Sequence, residues 1–367
     1  MARKGENIYK RKDGRWEGRY IYTYDSNGKA KYRSVYAQSY SKVKELLLLY
    51  KQPSSEFSIN SSRKTLKFYS DIWLNSVKLK NKESTYCKYK GICENHILPV
   101  LGKYQIFKIS TSLVEKFLLD KLHMEQLSAT TVKLYLCILK MIFSYANQDG
   151  CQTICCFSAL HIHQSSKNMR ILNLKEQKKL TNYLKNDMSY IKMGIYLCLC
   201  TGIRIGELCA LKWKNVSFEN KILHINKTMQ RISSDDDTEK KTKIIVTPPK
   251  TIHSEREIPL TDSVTALLEK YRCKDETYIL TGKSDTFVEP RLLQYHFKKC
   301  IKDCGIKNTN FHALRHTFAT RCVEAGFEIK TLSEILGHSS VNITLNRYVH
   351  SSMEWKRSNM EKLEEFI

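Results

Sequence analysis

Between Phe311 and Tyr348 the chain reads FHALRHTFATRCVEAGFEIKTLSEILGHSSVNITLNRY, with polar residues spaced for work on an anion. His312 and Arg315 are three apart, so on a helix they share a face and can converge on one atom. The following IKTLSEILGH has Ile329, Leu332, Ile335 and Leu336 at helical spacing. It stops at Gly337, a common C-terminal punctuation, which presents His338 at a helix end. Tyr348 lies ten residues further on. Two histidines and an arginine near a phenolic hydroxyl suit an oxygen-rich anion such as a phosphodiester. A zinc reading of His312 and His316 is weaker, because the zinc-protease helix with that i, i+4 spacing needs Glu where the chain has Ala313. A histidine on such a helix is also often a satisfied core residue, and one tyrosine among 21 says little alone. Residue type, order and spacing together carry the signal.

That combination resembles the C-terminal half of the tyrosine recombinase (phage integrase) family, through H-x-x-R at His312 and Arg315, L-G-H at Leu336 to His338, and Tyr348. The resemblance extends upstream. TGIRIGELCALKW, from Thr201 to Trp213, fits the family's T-G-x-R-x-x-E setting with Arg204 and Glu207. PKTIHSEREIPL supplies Lys250, Ser254, Arg256 and a strand, Ile258 to Leu260, where the family places a hairpin-tip lysine before S-x-R and I-P-L. The resemblance implies a metal-independent, cofactor-free enzyme that cleaves DNA to a 3′-phosphotyrosine and a free 5′ hydroxyl. Rejoining would proceed through a Holliday junction without ATP, in keeping with the lack of a Walker-type G-x-x-x-x-G-K.

In that chemistry Tyr348 is the nucleophile, and a phenol with a pKa of about 10 needs help at neutral pH. Arg204 and Arg315 would hold the non-bridging oxygens through planar guanidinium forks. His312 and His338 would add hydrogen bonds or help remove the phenolic proton, and Lys250 would protonate the leaving 5′ oxygen. Glu207 would hold Arg204 or His312 in place. A type IB topoisomerase-like enzyme, with the same cleavage but no strand exchange, stays open as an alternative. So does a catalytically idle DNA-binding regulator, although all six polar positions are filled in order.

Composition agrees with a polyanionic partner. The 367 residues carry 61 Lys and Arg against 37 Asp and Glu, a formal charge of +24. Double-stranded DNA is therefore expected rather than a membrane, since no apolar run approaches the roughly 18 residues of a spanning helix. The start, MARKGENIYKRK, has charge but no apolar stretch after it, and a cytoplasmic location is expected. The 13 cysteines are scattered and odd in number, with Cys198, Cys200 and Cys209 on apolar helix faces, so they read as reduced thiols. Cys151, Cys155 and Cys156, followed by His161 and His163, match no familiar zinc spacing and read as a hinge.

The architecture expected to position these groups is multidomain α+β. Residues 1–52 form a small three-stranded β-sheet plus a helix near Ser39 to Tyr50, with turns at Asp13-Gly14 and Asn27-Gly28. Ile8, Trp16, Tyr20, Tyr22 and Tyr24 could share one face, and Arg15, Arg19, Lys31 and Arg33 make the sheet a candidate DNA-groove reader. This part resembles the arm-type DNA-binding domain of mobile-element, conjugative transposon-like integrases.

After a polar linker, residues 64–160 form a helical domain that resembles the family's core-binding domain. Ser84 is its expected N-cap for Thr85 to His96, and helices are expected at Ser112 to Met124 and Ser128 to Gln148. Lys88, Lys90, Lys133 and Lys140 would contact phosphates. Residues 161–169 read as a second linker.

Residues 170–367 form a mainly α catalytic domain with a small antiparallel β-sheet. Helices are expected at Leu174 to Lys185 and Tyr190 to Cys200, and strands at Leu223 to Asn226, Lys243 to Thr247 and Arg256 to Leu260. Asp235 to Asp237 reads as a solvated loop and Trp355 to Ile367 as an amphipathic tail helix. The resemblance implies core and arm DNA sites, a homotetramer on DNA, and an excisionase and a host DNA-bending protein as further partners.

Overall fold

The structure, a computed structural model, describes residues 7–24, 30–51, 64–163, 170–234, 241–249, 254–348, 357, 360 and 361. The chain divides into two compact units, Met1–Gln164 and Ser165–Ile367. The mixed α+β architecture expected from the sequence is the one observed.

The first unit opens with strands β1 (Ile8–Lys10), β2 (Trp16–Tyr24) and β3 (Ala30–Ala37), antiparallel and in that order. Helix α1 (Tyr40–Lys51) covers one face. Strand alternation decides which side chains meet it. Trp16 pairs with Ala37, Gly18 with Val35 and Tyr20 with Arg33, on the side where Ile8, Val43 and Leu47 form a small core. Gly18 is required there, since a Cβ would come 2.6 Å from Val43.

The opposite face carries exposed Tyr9, Ile21, Tyr32 and Tyr36 around a buried Glu17. Glu17 accepts hydrogen bonds from Arg19 (2.8 Å), Ser34 (2.8 Å) and Arg11 (2.9 Å), which hold its carboxyl down at about 2. The basic residues grouped from sequence are therefore divided. Arg19 is on the open face, Arg15 pairs with Asp13 at the turn, and Lys31 and Arg33 share the parity of Val35 and Ala37 on the helix side. The side chains of Tyr22 and Tyr24 and the Asn27-Gly28 turn lie outside the described residues.

The helical part of this unit starts with α2 (Leu66–Lys80), capped by the Thr65 side chain. Helix α3 (Glu83–Ile92) runs through a π turn at Cys93–Ile97 into the short α4 (Leu98–Leu101). Ser84 is not the cap expected of it. The helix begins at Glu83, two residues before the expected Thr85, Lys82 precedes it, and the Ser84 hydroxyl is buried without a hydrogen-bond partner. Glu83 in the first turn complements the helix dipole instead. Helices α5 (Thr111–His123) and α6 (Ala129–Gln148) follow, capped by Ser110 and Ser128. Helix α6 is long and apolar enough to cross a bilayer, yet here its Val132, Leu139, Ile142 and Phe143 are core residues. Lys88, Lys133 and Lys140 are exposed, and Lys90 lies 4.0 Å from Glu94.

The second unit begins with α7 (Leu174–Asn186), closed by an Asn173–Glu176 capping box, and α8 (Tyr190–Thr201), which is buried over most of its length. The short α9 (Ile205–Ala210) leads to β4 (Val216–Ser217), β5 (Ile222–Ile225), the β6 (Thr228–Ser233)–β7 (Thr242–Thr247) hairpin and β8 (Arg256–Pro259). Strands β4, β5 and β8 form one antiparallel sheet. Helices α10 (Asp262–Lys270), α11 (Pro290–Asp303), α12 (His312–Glu324), α13 (Ile329–Leu336) and α14 (Val341–Tyr348) complete it. Trp213, Phe297 and Leu314 anchor its main core. Lys250, Asp235 to Asp237 and most of the tail from Trp355 lie outside the described residues.

Candidate active site

The site is assembled from the ends of short elements. Helix α8 stops at Gly202, whose φ of +66° is left-handed and so favours glycine. The reversal leaves Arg204 just before α9, where its backbone N–H donates to Glu207 Oε2 (2.9 Å). Its side chain donates to Glu207 Oε1 (2.7 Å) and to the Gly337 carbonyl (2.8 Å), and stays 35% exposed.

Two further arginines finish on the same helix end. Arg315 donates to the carbonyls of Leu336 (2.7 Å) and Gly202 (2.9 Å), and Arg256 donates to that of Ile335 (2.6 Å). The last carbonyls of a helix have no intrahelical partner and carry partial negative charge. Three guanidiniums thus satisfy three consecutive carbonyls at the end of α13.

Beneath them lies Glu207, 3% exposed, paired with Arg256 at 2.9 Å. Burial raises its carboxyl, but the hydrogen bonds and charge of Arg256, with Arg204, prevail and hold it below the usual carboxylate range. Burial, then Arg204, push the Arg315 guanidinium down to about 9, which still leaves it charged at neutral pH.

Helix α12 puts His312, Arg315 and His316 on one side by its i, i+3, i+4 spacing. His316 Nδ1 is 2.9 Å from the Tyr348 hydroxyl, and the His312 ring stands edge-on to His316 with centroids 4.5 Å apart. His338 follows Gly337, engages Thr344 through Nδ1 (2.8 Å) and lies parallel to the Tyr348 ring at 6.3 Å. Tyr348 is 6% exposed. Burial raises its pKa against the pull of Arg315 and Arg347.

Burial, then the nearby arginines, lower His338 to about 3. Burial, His312 and the arginines take His316 to about 4. His312 is exposed as a residue, but burial of its ring, then the charges of Arg315, Arg347 and Arg204, lower it to about 4 as well. All three imidazoles are therefore neutral at pH 7.

Arg204, Glu207, His312, Arg315, His338 and Tyr348 thus meet in one place. Two further participants, Arg256 and His316, are not among the site residues expected from sequence. Arg256 stands in the S-x-R, and its parity within β8 is a usable signal. His316 is visible at i+4 from His312, but in the sequence it reads only as a zinc ligand or a core residue. Among the described residues no group of three or more His, Cys, Asp or Glu gathers to hold a metal. The arrangement can bind a tetrahedral oxyanion beside a buried phenol and stabilise added negative charge on it.

Gly202 is a sensitive point. A Cβ there would lie 2.4 Å from Phe318 and 3.0 Å from Leu336, at a positive φ. Gly202→Ala is expected to lower stability by about 1–3 kcal/mol, read as an earlier denaturant midpoint. Because the Gly202 carbonyl accepts from Arg315, the same change should also loosen that guanidinium.

Residues 170–354 match the model of the phage integrase family, and residues 65–122 match that of the phage integrase N-terminal SAM-like domain. The chain is 28% identical to a XerC-like tyrosine recombinase of Caldanaerobacter subterraneus subsp. tengcongensis, over 80% of this chain and 81% of that one. It is 25% identical to the ICEBs1 integrase of Bacillus subtilis, over 81% and 82% of the two chains. Its fold is similar to that of the Tn1549 transposon integrase in complex with transposon right end DNA. The TM-score is 0.67 at 22% identity, covering 81% of this chain and 99% of that one.

Proposed function

Because the chain belongs to the phage integrase family of tyrosine recombinases, we propose that this site-specific recombinase integrates and excises a mobile element, cleaving and rejoining DNA through a 3′-phosphotyrosine at Tyr348. The observation that carries this reading is the convergence of Arg204 and Arg315 on the end of α13 beside the buried phenol. A scissile phosphate bound there gains negative charge on its non-bridging oxygens as Tyr348 attacks. Preformed donors held by carbonyls and by Glu207 stabilise that charge without reorganising, a contribution of about 10²–10³ in rate for each donor. His312 and His338, neutral at pH 7, hydrogen-bond the same oxygens. Lys250, between β7 and β8, protonates the departing 5′ oxygen. The phosphotyrosine conserves the phosphodiester energy, so rejoining needs no nucleotide. A relative named as the transposase from transposon Tn916 of Enterococcus faecalis, 28% identical over 64% of this chain, supports the mobile-element assignment.

Three modules divide the work: 1–52 for arm sites, 64–160 for the core duplex and 170–367 for catalysis. Arg15, Arg19, Lys31 and Arg33 serve the first, and Lys88, Lys90, Lys133 and Lys140 the second, mostly at phosphates. A homotetramer acts on DNA in the cytoplasm, with an excisionase and a host DNA-bending protein setting direction. Binding should then weaken about a thousandfold between about 50 and about 200 mM salt, read by titration at several concentrations. The decisive assay offers two DNA partners carrying the element's ends. Recombinant junctions support an integrase, whereas relaxation of a supercoiled circle without exchange would assign a topoisomerase-like activity.

A further inference from the structure

The phenolic proton must go somewhere, and the side chains around Tyr348 are unequally placed to take it. His338 has its Nδ1 engaged by Thr344, and its ring lies parallel to the phenol ring with centroids 6.3 Å apart. His312 makes its ring contact with His316. His316 is buried, sits on α12 directly after the anchored Arg315, and brings Nδ1 to 2.9 Å from the hydroxyl. That is the reach required of a general base.

We propose that His316 is the base that receives the Tyr348 proton as the tyrosine attacks DNA. This rests on the reading of Tyr348 as nucleophile. In the step, the phenolic O–H bond breaks and its proton passes to Nδ1 while the phenolic oxygen bonds to phosphorus. The bond from phosphorus to the 5′ oxygen breaks with its electron pair on that oxygen, which takes a separate proton from Lys250. Rejoining reverses each transfer, and His316 returns its proton to the departing phenol.

The surroundings of His316 keep it a weak base without DNA. Burial first, and then the charges of Arg347 from α14 and Arg315 on its own helix, disfavour a protonated imidazole. A phosphate held by Arg204 and Arg315 supplies negative charge that offsets them. Basicity therefore rises when a scissile phosphate is present, and the phenol is not ionised before that.

The test uses full-length protein and a nicked suicide duplex in single-turnover cleavage. His316→Asn and His316→Gln can hydrogen-bond the phenol but cannot accept its proton. Cleavage at pH 7 should fall about a hundredfold or more. The defect should shrink as pH rises toward ionisation of the phenol, because hydroxide then removes the proton. A substrate with sulfur at the bridging 5′ position, whose leaving group needs no proton, should rescue Lys250→Ala but not either His316 variant. Thermal unfolding and DNA affinity identify which variants are folded. Wild-type cleavage, a defect of the same size at every pH, or rescue by sulfur would each overturn the proposal. Tyr348→Phe is run beside them: an adduct formed by that variant sinks the nucleophile assignment, which is a separate failure.

Discussion

Tyr348→Phe should abolish the covalent protein–DNA adduct and lower strand cleavage by about 10⁴-fold or more, as removal of a nucleophile does elsewhere. DNA affinity should stay nearly unchanged, because a buried phenol adds nothing to phosphate neutralisation. Stability should fall by about 1–3 kcal/mol, since the buried His316 Nδ1 loses its partner. A denaturing gel after incubation with the nicked duplex reads the first effect, and a denaturant titration the last. An adduct on the Phe variant would mean that another side chain attacks, and the guanidiniums around Tyr348 would need a different explanation.

Glu207→Ala should destabilise the second unit by about 3–5 kcal/mol, because it leaves the buried Arg256 without its counter-charge. Glu207→Gln keeps the shape and should cost less, yet it removes the charge that holds Arg204 and Arg256. The pH dependence separates two contributions. The carboxyl of Glu207 is depressed on folding, so its stabilisation is present above its ordinary value of 4.5 and is lost as pH falls through the lower folded value. His312, His316 and His338 are also depressed, from 6.5, so their acid-side loss begins earlier, as pH drops below 6.5. In Glu207→Gln the loss below pH 4.5 should be smaller by the share of Glu207, while the histidine loss, which runs from pH 6.5 down to about 3, and that of Glu17 should remain. Unfolding midpoints measured from pH 7 to pH 3 test this.

Features decided within a few residues are legible in the sequence. Ser128 caps α6, Gly337 stops α13, and His312 and Arg315 share a face because the helical repeat requires it. Features decided by partners far along the chain are not. Arg256 reaches Glu207 across 49 residues and the Ile335 carbonyl across 79, and its parity within β8 marks the side it faces but not those partners. His316 meets Tyr348 across 32 residues, which turns an apparent core histidine into a neighbour of the phenol. Composition makes the basic residues of the N-terminal sheet one group, whereas strand parity divides them. Counting alternate positions back from Val35 and Ala37 sends Lys31 and Arg33 to the side that α1 covers. Strand β6 is hidden because TMQRIS carries polar residues at its half-buried positions, so its partner β7 is legible without it.

The end of α13 has a genetic consequence. Ile335, Leu336 and Gly337 each hold a different arginine by its carbonyl, so the three cations have one common support. Substitutions at Arg204, Arg256 and Arg315 should therefore be epistatic, with double replacements costing less than the sum of the singles. For the same reason, selection cannot easily retune one of these cations while leaving the other two untouched.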